Sequence, residues 1–145
     1  MLRVVLDVNV LISALLLPGV PRSILESVGE DKFIMVLSST LLEDFLRTIE
    51  KPKLKKLITP DLLEEIIALI HRKALIVEPK RKITACRDPD DNAVLEAAMA
   101  AKAIIVTGDK DILSMKNFKN LRILSPRAFW SKLRAPDFDR GSSQA

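Results

Sequence analysis

The chain has 145 residues, of which 48% are hydrophobic and 29% charged, and its net charge is +4. These proportions exclude a disordered chain, and the length is the usual size of one domain. One cysteine, Cys86, excludes an internal disulfide and fits a reducing compartment. Asp7 and Asn9 interrupt the apolar stretch 4–17, and no run reaches the roughly 18–20 apolar residues of a membrane span. We therefore expect a cytoplasmic protein.

Short apolar runs alternate with amphipathic stretches along the chain. In chain order we predict strand 2–6, a helix to residue 17, helix 22–28, strand 33–37, a helix opening at 38–40 and running to 49, helix 62–71, strand 74–77, helix 88–102, strand 103–107, helix 112–115, strand 121–124 and helix 126–133. A domain over 1–134 then precedes a polar, flexible tail, 135–145. Continuous apolar strands between helices predict an α/β fold whose parallel sheet is covered on both faces.

Two predicted strands end at a carboxylate. Asp7 follows the first strand and Asp109 follows the fourth, after Gly108, which would permit a sharp turn. The carboxyl ends of parallel strands are where such sheets place their functional groups. Capping of the next helix is the alternative role for both positions, and Asp111 is the more probable cap of the two acids in its segment.

Two further acids stand near the starts of helices. Glu43 lies three residues after Thr40, which is also the spacing of a capping box, so a structural role is the alternative. Asp91 shares a helical stripe with apolar residues that should face the sheet, whereas Asp88 and Asp90 should be more exposed. Acids near Pro89 could also serve only the helix dipole.

The four acids Asp7, Glu43, Asp91 and Asp109 are predicted at one end of one sheet. Gathered carboxylates repel one another, and a hard divalent cation such as Mg²⁺ or Mn²⁺ removes that cost. In phosphodiester cleavage such ions activate water, orient the phosphate and stabilise the leaving oxygen. His71 is the only histidine, and we expect structural roles for it and for Cys86.

The order and spacing of these residues resemble the PIN-domain nucleases, and the closing segment 123–129 resembles their VapC-like toxin subfamily. The matching segments are Asp7-Val-Asn9, Glu43 early in its helix, Asp91 before Asn-Ala-Val-Leu-Glu-Ala-Ala, and Thr107-Gly-Asp109-Lys-Asp111. The resemblance implies a three-layer α/β/α sandwich with a five-stranded parallel sheet and endonucleolytic cleavage of RNA. By position, the four acids would bind Mg²⁺ or Mn²⁺, Asn9 and Thr107 would support them, and Asp111 would be an additional ligand. It further implies a homodimer and an antitoxin protein as partner.

Basic residues are concentrated between residues 47 and 87, where the net charge is +6, counted as 11 basic minus 5 acidic residues. A basic segment beside an acidic site suits an enzyme that acts on a polyanion, and a solvated helical face is the alternative. The residues predicted to contact RNA are Lys51, Lys53, Lys55, Lys56, Lys80, Arg81 and Lys82. Two other functions stay open: a catalytically silent RNA-binding scaffold, and a haloacid-dehalogenase-like phosphatase, which would need an acid where this chain has Asn9.

Overall fold

The computed structural model describes residues 1–115 and 118–136. The chain begins with β1 (Arg3–Leu6), α1 (Val8–Leu16), α2 (Val20–Gly29), β2 (Ile34–Ser38), α3 (Ser39–Thr48), α4 (Pro52–Lys55) and α5 (Pro60–Lys73). It continues with β3 (Leu75–Val77), α6 (Pro89–Ala101), β4 (Ile104–Val106), α7 (Lys110–Leu113), a 3₁₀ turn (Phe118–Asn120), β5 (Ile123–Leu124) and α8 (Pro126–Leu133).

The five strands form one parallel sheet in the order β3-β2-β1-β4-β5. In the central strand, Val4 pairs with Met35 on one side and with Ile104 on the other. Val4 and the two residues after it are all 0% exposed, although successive side chains point to opposite faces of a sheet. Helices therefore cover both faces, and the predicted α/β/α sandwich with a five-stranded parallel sheet is confirmed.

The sheet has one apolar edge. β3 is an outer strand of only three residues, and its Leu75 and Ile76 are 37% and 42% exposed.

Large aromatic side chains fill part of the core. Phe33 and Phe129 are both buried and meet edge to face, with ring centroids 5.3 Å apart. This contact joins the start of β2 to α8.

The structure differs from the sequence-based prediction in two local features. The basic stretch 51–56 contains a short helix, α4, because Pro52 at its first position favours a helical start. Helix α3 is capped by Ser38, whose hydroxyl accepts from the Leu41 amide. Thr40 is therefore inside the helix, and the capping-box alternative for Glu43 is wrong. Most of the predicted flexible tail, from residue 137 onward, lies outside the described residues.

Within the described part of the chain, no single helix has the length and apolar character needed to cross a membrane. Helices α1 and α2 taken together satisfy that criterion, and they are bent by 102° relative to each other.

Candidate metal centre

Acidic side chains meet where β1 and β4 end and α6 begins. Asp7 follows β1 directly, Asp109 stands three residues after β4, and Asp91 lies in the first turn of α6. One oxygen from each of Asp91, Asp109 and Asp111 can be chosen so that all three lie within 4.8 Å of one another. The structure thus brings Asp91 and Asp109 together, as predicted, and adds Asp111 to them.

Asp7 lies outside the group of three acids with metal-ligand spacing, but a buried hydroxyl connects it to the Asp109 backbone. Thr107 Oγ1 donates to Asp7 Oδ2 at 2.6 Å and accepts the Asp109 amide at 3.0 Å. Thr107 is 0% exposed, so this bridge is shielded from water. The bridge ties the ends of two adjacent strands, and it gives Thr107 the supporting position that the sequence predicts. Asn9 donates its backbone N–H to Asp7 Oδ1 at 3.4 Å, while the residue itself is exposed.

The carboxylates of the cluster are electrostatically strained. Burial, together with repulsion by Asp109, Asp88, Asp7 and Asp111, raises the pKa of Asp91 from its ordinary value of 3.8 to about 6. Burial also raises the pKa of Asp7, with a smaller contribution from Asp109, while the hydrogen bond from Thr107 opposes the rise. Without a counter-charge, the ionised site is therefore costly to keep in the folded protein.

Several of these acids also cap helices. Asp7 caps α1, and Asp88 caps α6 by accepting the Asp90 amide at 2.9 Å. Asp109, not Asp111, caps α7: its Oδ1 accepts the amides of Asp111 and Ile112, so the prediction of Asp111 as the cap is wrong. The physical reason is that α7 begins directly after Asp109 and leaves Asp111 inside its first turn.

The structure does not support the role predicted for Gly108. A Cβ at that position would meet no atom within 4 Å, and the backbone there is not in the left-handed region. Residues other than glycine could therefore occupy position 108 in the turn after β4.

Helix α3 contributes a different acid from the predicted one. Glu43 is exposed, and among the described residues it is not in the group with metal-ligand spacing. The next residue, Asp44, has a side chain that is 19% exposed, pairs with Arg47 at 3.1 Å, and is close enough to raise the pKa of Asp90. Asp44 follows the buried Leu41 by three residues, whereas Glu43 lies on the opposite side of the helix from the buried stripe. Helical periodicity could have identified it.

Cys86 also lies beside the cluster. Burial raises the pKa of its thiol, and the carboxylates of Asp91 and Asp109 raise it further, which disfavours a nucleophilic thiolate. Asn92 holds this residue at two points: its Oδ1 accepts the Cys86 amide at 2.8 Å, and its Nδ2 donates to the Cys86 carbonyl at 3.1 Å. Asn92 therefore anchors the segment that leads into α6, a role that sequence reasoning missed.

The predicted RNA-contacting residues are all exposed: Lys51, Lys53, Lys55, Lys56, Lys80, Arg81 and Lys82. Burial and the carboxylates of Asp44 and Asp88 raise the pKa of Asp90, and Arg47 and Lys51 are near enough to oppose that rise, so the basic segment begins at the rim of the acidic site. Lys80 and Arg81 line a separate cavity of about 330 Å³ against the outer face of α6.

The donor set fits a divalent cation of the Mg²⁺ or Mn²⁺ type. Every candidate ligand is a carboxylate oxygen, and oxygens of Asp91, Asp109 and Asp111 lie within 4.8 Å of one another. Burial and the neighbouring carboxylates raise the pKa values of Asp91 and Asp7. Oxygen ligands are the ones these ions prefer, and their charge would offset the repulsion. Asp7, Asp91, Asp109 and Asp111 are the residues that could hold such an ion.

Residues 3–111 match the sequence pattern of the PIN domain, which covers well over half of the chain. The chain therefore belongs to the PIN-domain family, whose fold is that of a nuclease. A protein of Methanocaldococcus jannaschii, described as uncharacterized, is 33% identical over 138 residues, with 88% of this chain and 89% of the relative covered. Membership of this family argues against the phosphatase hypothesis, which rested on likeness to a different family.

Proposed function

We propose that this PIN-domain protein is an endoribonuclease that depends on Mg²⁺ or Mn²⁺. The observation that carries the proposal is the group formed by Asp91, Asp109 and Asp111, with Asp7 tied to it through Thr107. A bound divalent ion would supply charge neutralisation of the scissile phosphate and activation of water. The chain contains one histidine, His71, which is exposed on α5, so a histidine pair for metal-free cleavage is absent from the sequence.

The chain's own residues have separable tasks in this proposal. The carboxylates of Asp7, Asp91 and Asp109 bind the ion, and Asp111 is an additional ligand. Thr107 orients Asp7 by its 2.6 Å hydrogen bond and Asp109 through its amide. For the acid from α3, burial and proximity to Asp90 favour Asp44 over Glu43. Asn92 fixes the segment before α6 and so maintains the position of Asp91.

The test is cleavage of a circular single-stranded RNA, which has no ends and can be opened only by an internal cut. We expect linear product with Mn²⁺ or Mg²⁺ and none with EDTA. Asp7→Asn and Asp109→Asn should each reduce the rate by several orders of magnitude, and the double variant should lose little more because ligands act as a unit. His71→Ala and Glu64→Gln, which alter exposed residues of α5, should retain the rate. Cleavage that persists in EDTA would overturn the proposal, and RNA binding without cleavage would favour the silent scaffold.

Adjacent residues of α3 provide a matched comparison. Glu43→Gln and Asp44→Asn each remove one negative charge from the same helical turn. We expect Asp44→Asn to lower the Mn²⁺-dependent rate and Glu43→Gln to leave it nearly unchanged. The reverse result would restore Glu43 as the fourth acid of the site.

We also propose that RNA lies along the basic segment and is held by its phosphates. The logarithm of the binding constant should then fall with the logarithm of salt concentration, at a slope of about 0.7 per phosphate neutralised. Reversing Lys53, Lys55 and Lys56 to Glu should flatten that slope, whereas Lys132→Glu on α8 should not. An unchanged slope in the triple variant would assign these lysines to a solvated surface.

A toxin role, with an antitoxin protein as partner and a homodimer as the active form, is proposed from the resemblance of the motifs and of segment 123–129. Induced expression in a bacterial host should arrest growth with the natural chain and not with Asp91→Asn. Sedimentation of the purified protein measures the oligomeric state. Normal growth at full expression of an active nuclease would assign the protein to RNA processing instead.

A further inference from the structure

A second concave site lies at the opposite edge of the sheet from the carboxylates. This cavity has a volume of about 650 Å³ and is formed by the starts of β1, β4 and β5 together with the end of α6. Because the strands are parallel, their starts share one edge and their ends share the other. A strand of four residues spans about 13 Å, so the cavity is separated from the acidic cluster by the depth of the sheet.

The cavity is basic. Four of its lining residues are Arg3, Lys102, Lys119 and Arg122, and none of its described lining residues is acidic. The Arg3 guanidinium donates to the Ala101 carbonyl at 3.3 Å, which holds this cation at the rim. The remaining wall is largely apolar. Concentrated positive charge around an apolar hollow favours an anion that also carries an apolar group.

The backbone gives independent support. Lys102 has a φ of 53° and Lys119 has a φ of 49°, both in the left-handed region that costs an L-residue stability. Lys102 ends α6, a position where glycine is the usual and less strained residue. A purely structural turn would be made at lower cost by glycine. The lysines at both strained positions line the same cavity, and Lys119 Nζ also lies 5.8 Å from the centroid of the Phe118 ring.

We propose that this cavity binds a terminal phosphate attached to a nucleoside. A phosphomonoester carries up to two negative charges and three acceptor oxygens, which suits a cavity lined by four cationic residues better than the single charge of an internal phosphodiester does. The base and sugar would lie against the apolar wall. A free nucleotide and the 5′-phosphate end of an RNA strand present this same chemistry. The site is distinct from the proposed metal centre and does not depend on it.

Calorimetric titration of the full chain in EDTA tests the proposal, because binding measured without metal is independent of nuclease activity. The probes are AMP, a four-nucleotide RNA with a 5′-phosphate, and the same RNA with a 5′-hydroxyl. We expect AMP or the 5′-phosphorylated RNA to bind and the 5′-hydroxyl RNA to bind at least about tenfold more weakly. A preference for AMP would identify the source as free nucleotides, and a preference for the phosphorylated RNA would identify it as an RNA end.

Variants separate ligand binding from folding. Lys102→Gly and Lys119→Gly each remove a charge and relieve the left-handed backbone, so each should weaken binding by about tenfold while the melting temperature stays the same or rises. Lys132→Gln, which removes one exposed charge from α8, should bind as the natural chain does. The proposal is overturned by equal binding of phosphate and hydroxyl ends, by full binding in both glycine variants, by an equal loss in Lys132→Gln, or by no binding of any probe.

Discussion

Replacing Asp91 by asparagine should stabilise the metal-free protein. Moving the pKa of this carboxyl from 3.8 to about 6 corresponds to about 3 kcal/mol of cost in the ionised folded state. Asp91 also lies in the first turn of α6, where a negative charge gains about 0.3–1 kcal/mol from the helix dipole. The net gain expected for Asp91→Asn at pH 8 is therefore about 2 kcal/mol, or about 4–8 °C in melting temperature.

The pH dependence of this gain follows from the direction of the shift. The folded state holds the Asp91 proton more tightly than the unfolded state does. The stabilisation that this proton gives is complete below pH 3.8 and is lost as the pH rises through about 6. The advantage of Asp91→Asn over the natural chain should consequently shrink to less than about 1 kcal/mol at pH 4.

Denaturant unfolding in EDTA at pH 4 and pH 8 measures both quantities, and Glu64→Gln on the exposed face of α5 is the matched control. Addition of Mn²⁺ should reverse the ranking at pH 8, because only the natural chain gains binding energy by mass action. If Asp91→Asn is less stable than the natural chain at pH 8 without metal, or if its advantage is the same at both pH values, the electrostatic reasoning is refuted.

Three further substitutions have defined outcomes. Thr107→Val removes the hydroxyl that donates to Asp7 and should lower the free energy of unfolding by about 1–3 kcal/mol. It should also raise the pKa of Asp7 further, so that Mn²⁺ binding requires a higher pH. An unchanged pH dependence of Mn²⁺ binding would contradict the hydrogen bond between Thr107 and Asp7. Asn92→Ala breaks two hydrogen bonds to Cys86, so hydrogen exchange at the Cys86 amide should accelerate, and unchanged protection would contradict the anchor. Phe129→Ala should lower the unfolding free energy by about 3–5 kcal/mol, and a cost below 1 kcal/mol would show that the core refills the site.

The sheet could be predicted from the sequence because its signal is local. Each strand is a short apolar run, and the runs of β1, β2 and β4 are almost entirely buried, so length and composition alone identify them; all five predicted strands are present. The same holds for α8, whose start is set by Ser125, since its hydroxyl accepts the Ala128 amide. Helix α4 was missed because a four-residue helix has too little periodicity to separate it from a proline-containing loop.

The candidate site was less predictable because its geometry depends on contacts between distant segments. Alternation of strands and helices places Asp7 and Asp109 at one edge, but it does not reveal that Thr107 connects them. The choice of Asp44 over Glu43, by contrast, could have been made from the apolar periodicity of α3, because adjacent side chains are about 100° apart around a helix. The anchoring by Asn92 requires a loop conformation that no pattern in the sequence specifies.

The bridge between Thr107 and Asp7 joins residues 100 positions apart. During synthesis the amino-terminal part of a chain emerges first, at about 5–20 residues per second. Thr107 is therefore synthesised about 5–20 s after Asp7, and Asp109 follows only two residues later. A chain that is released between residues 92 and 106 contains Asp7 and Asp91 but lacks Thr107 and Asp109. The order of the strands thus makes assembly of the site a late event in synthesis of the domain, with β5 and α8 still to be made after it.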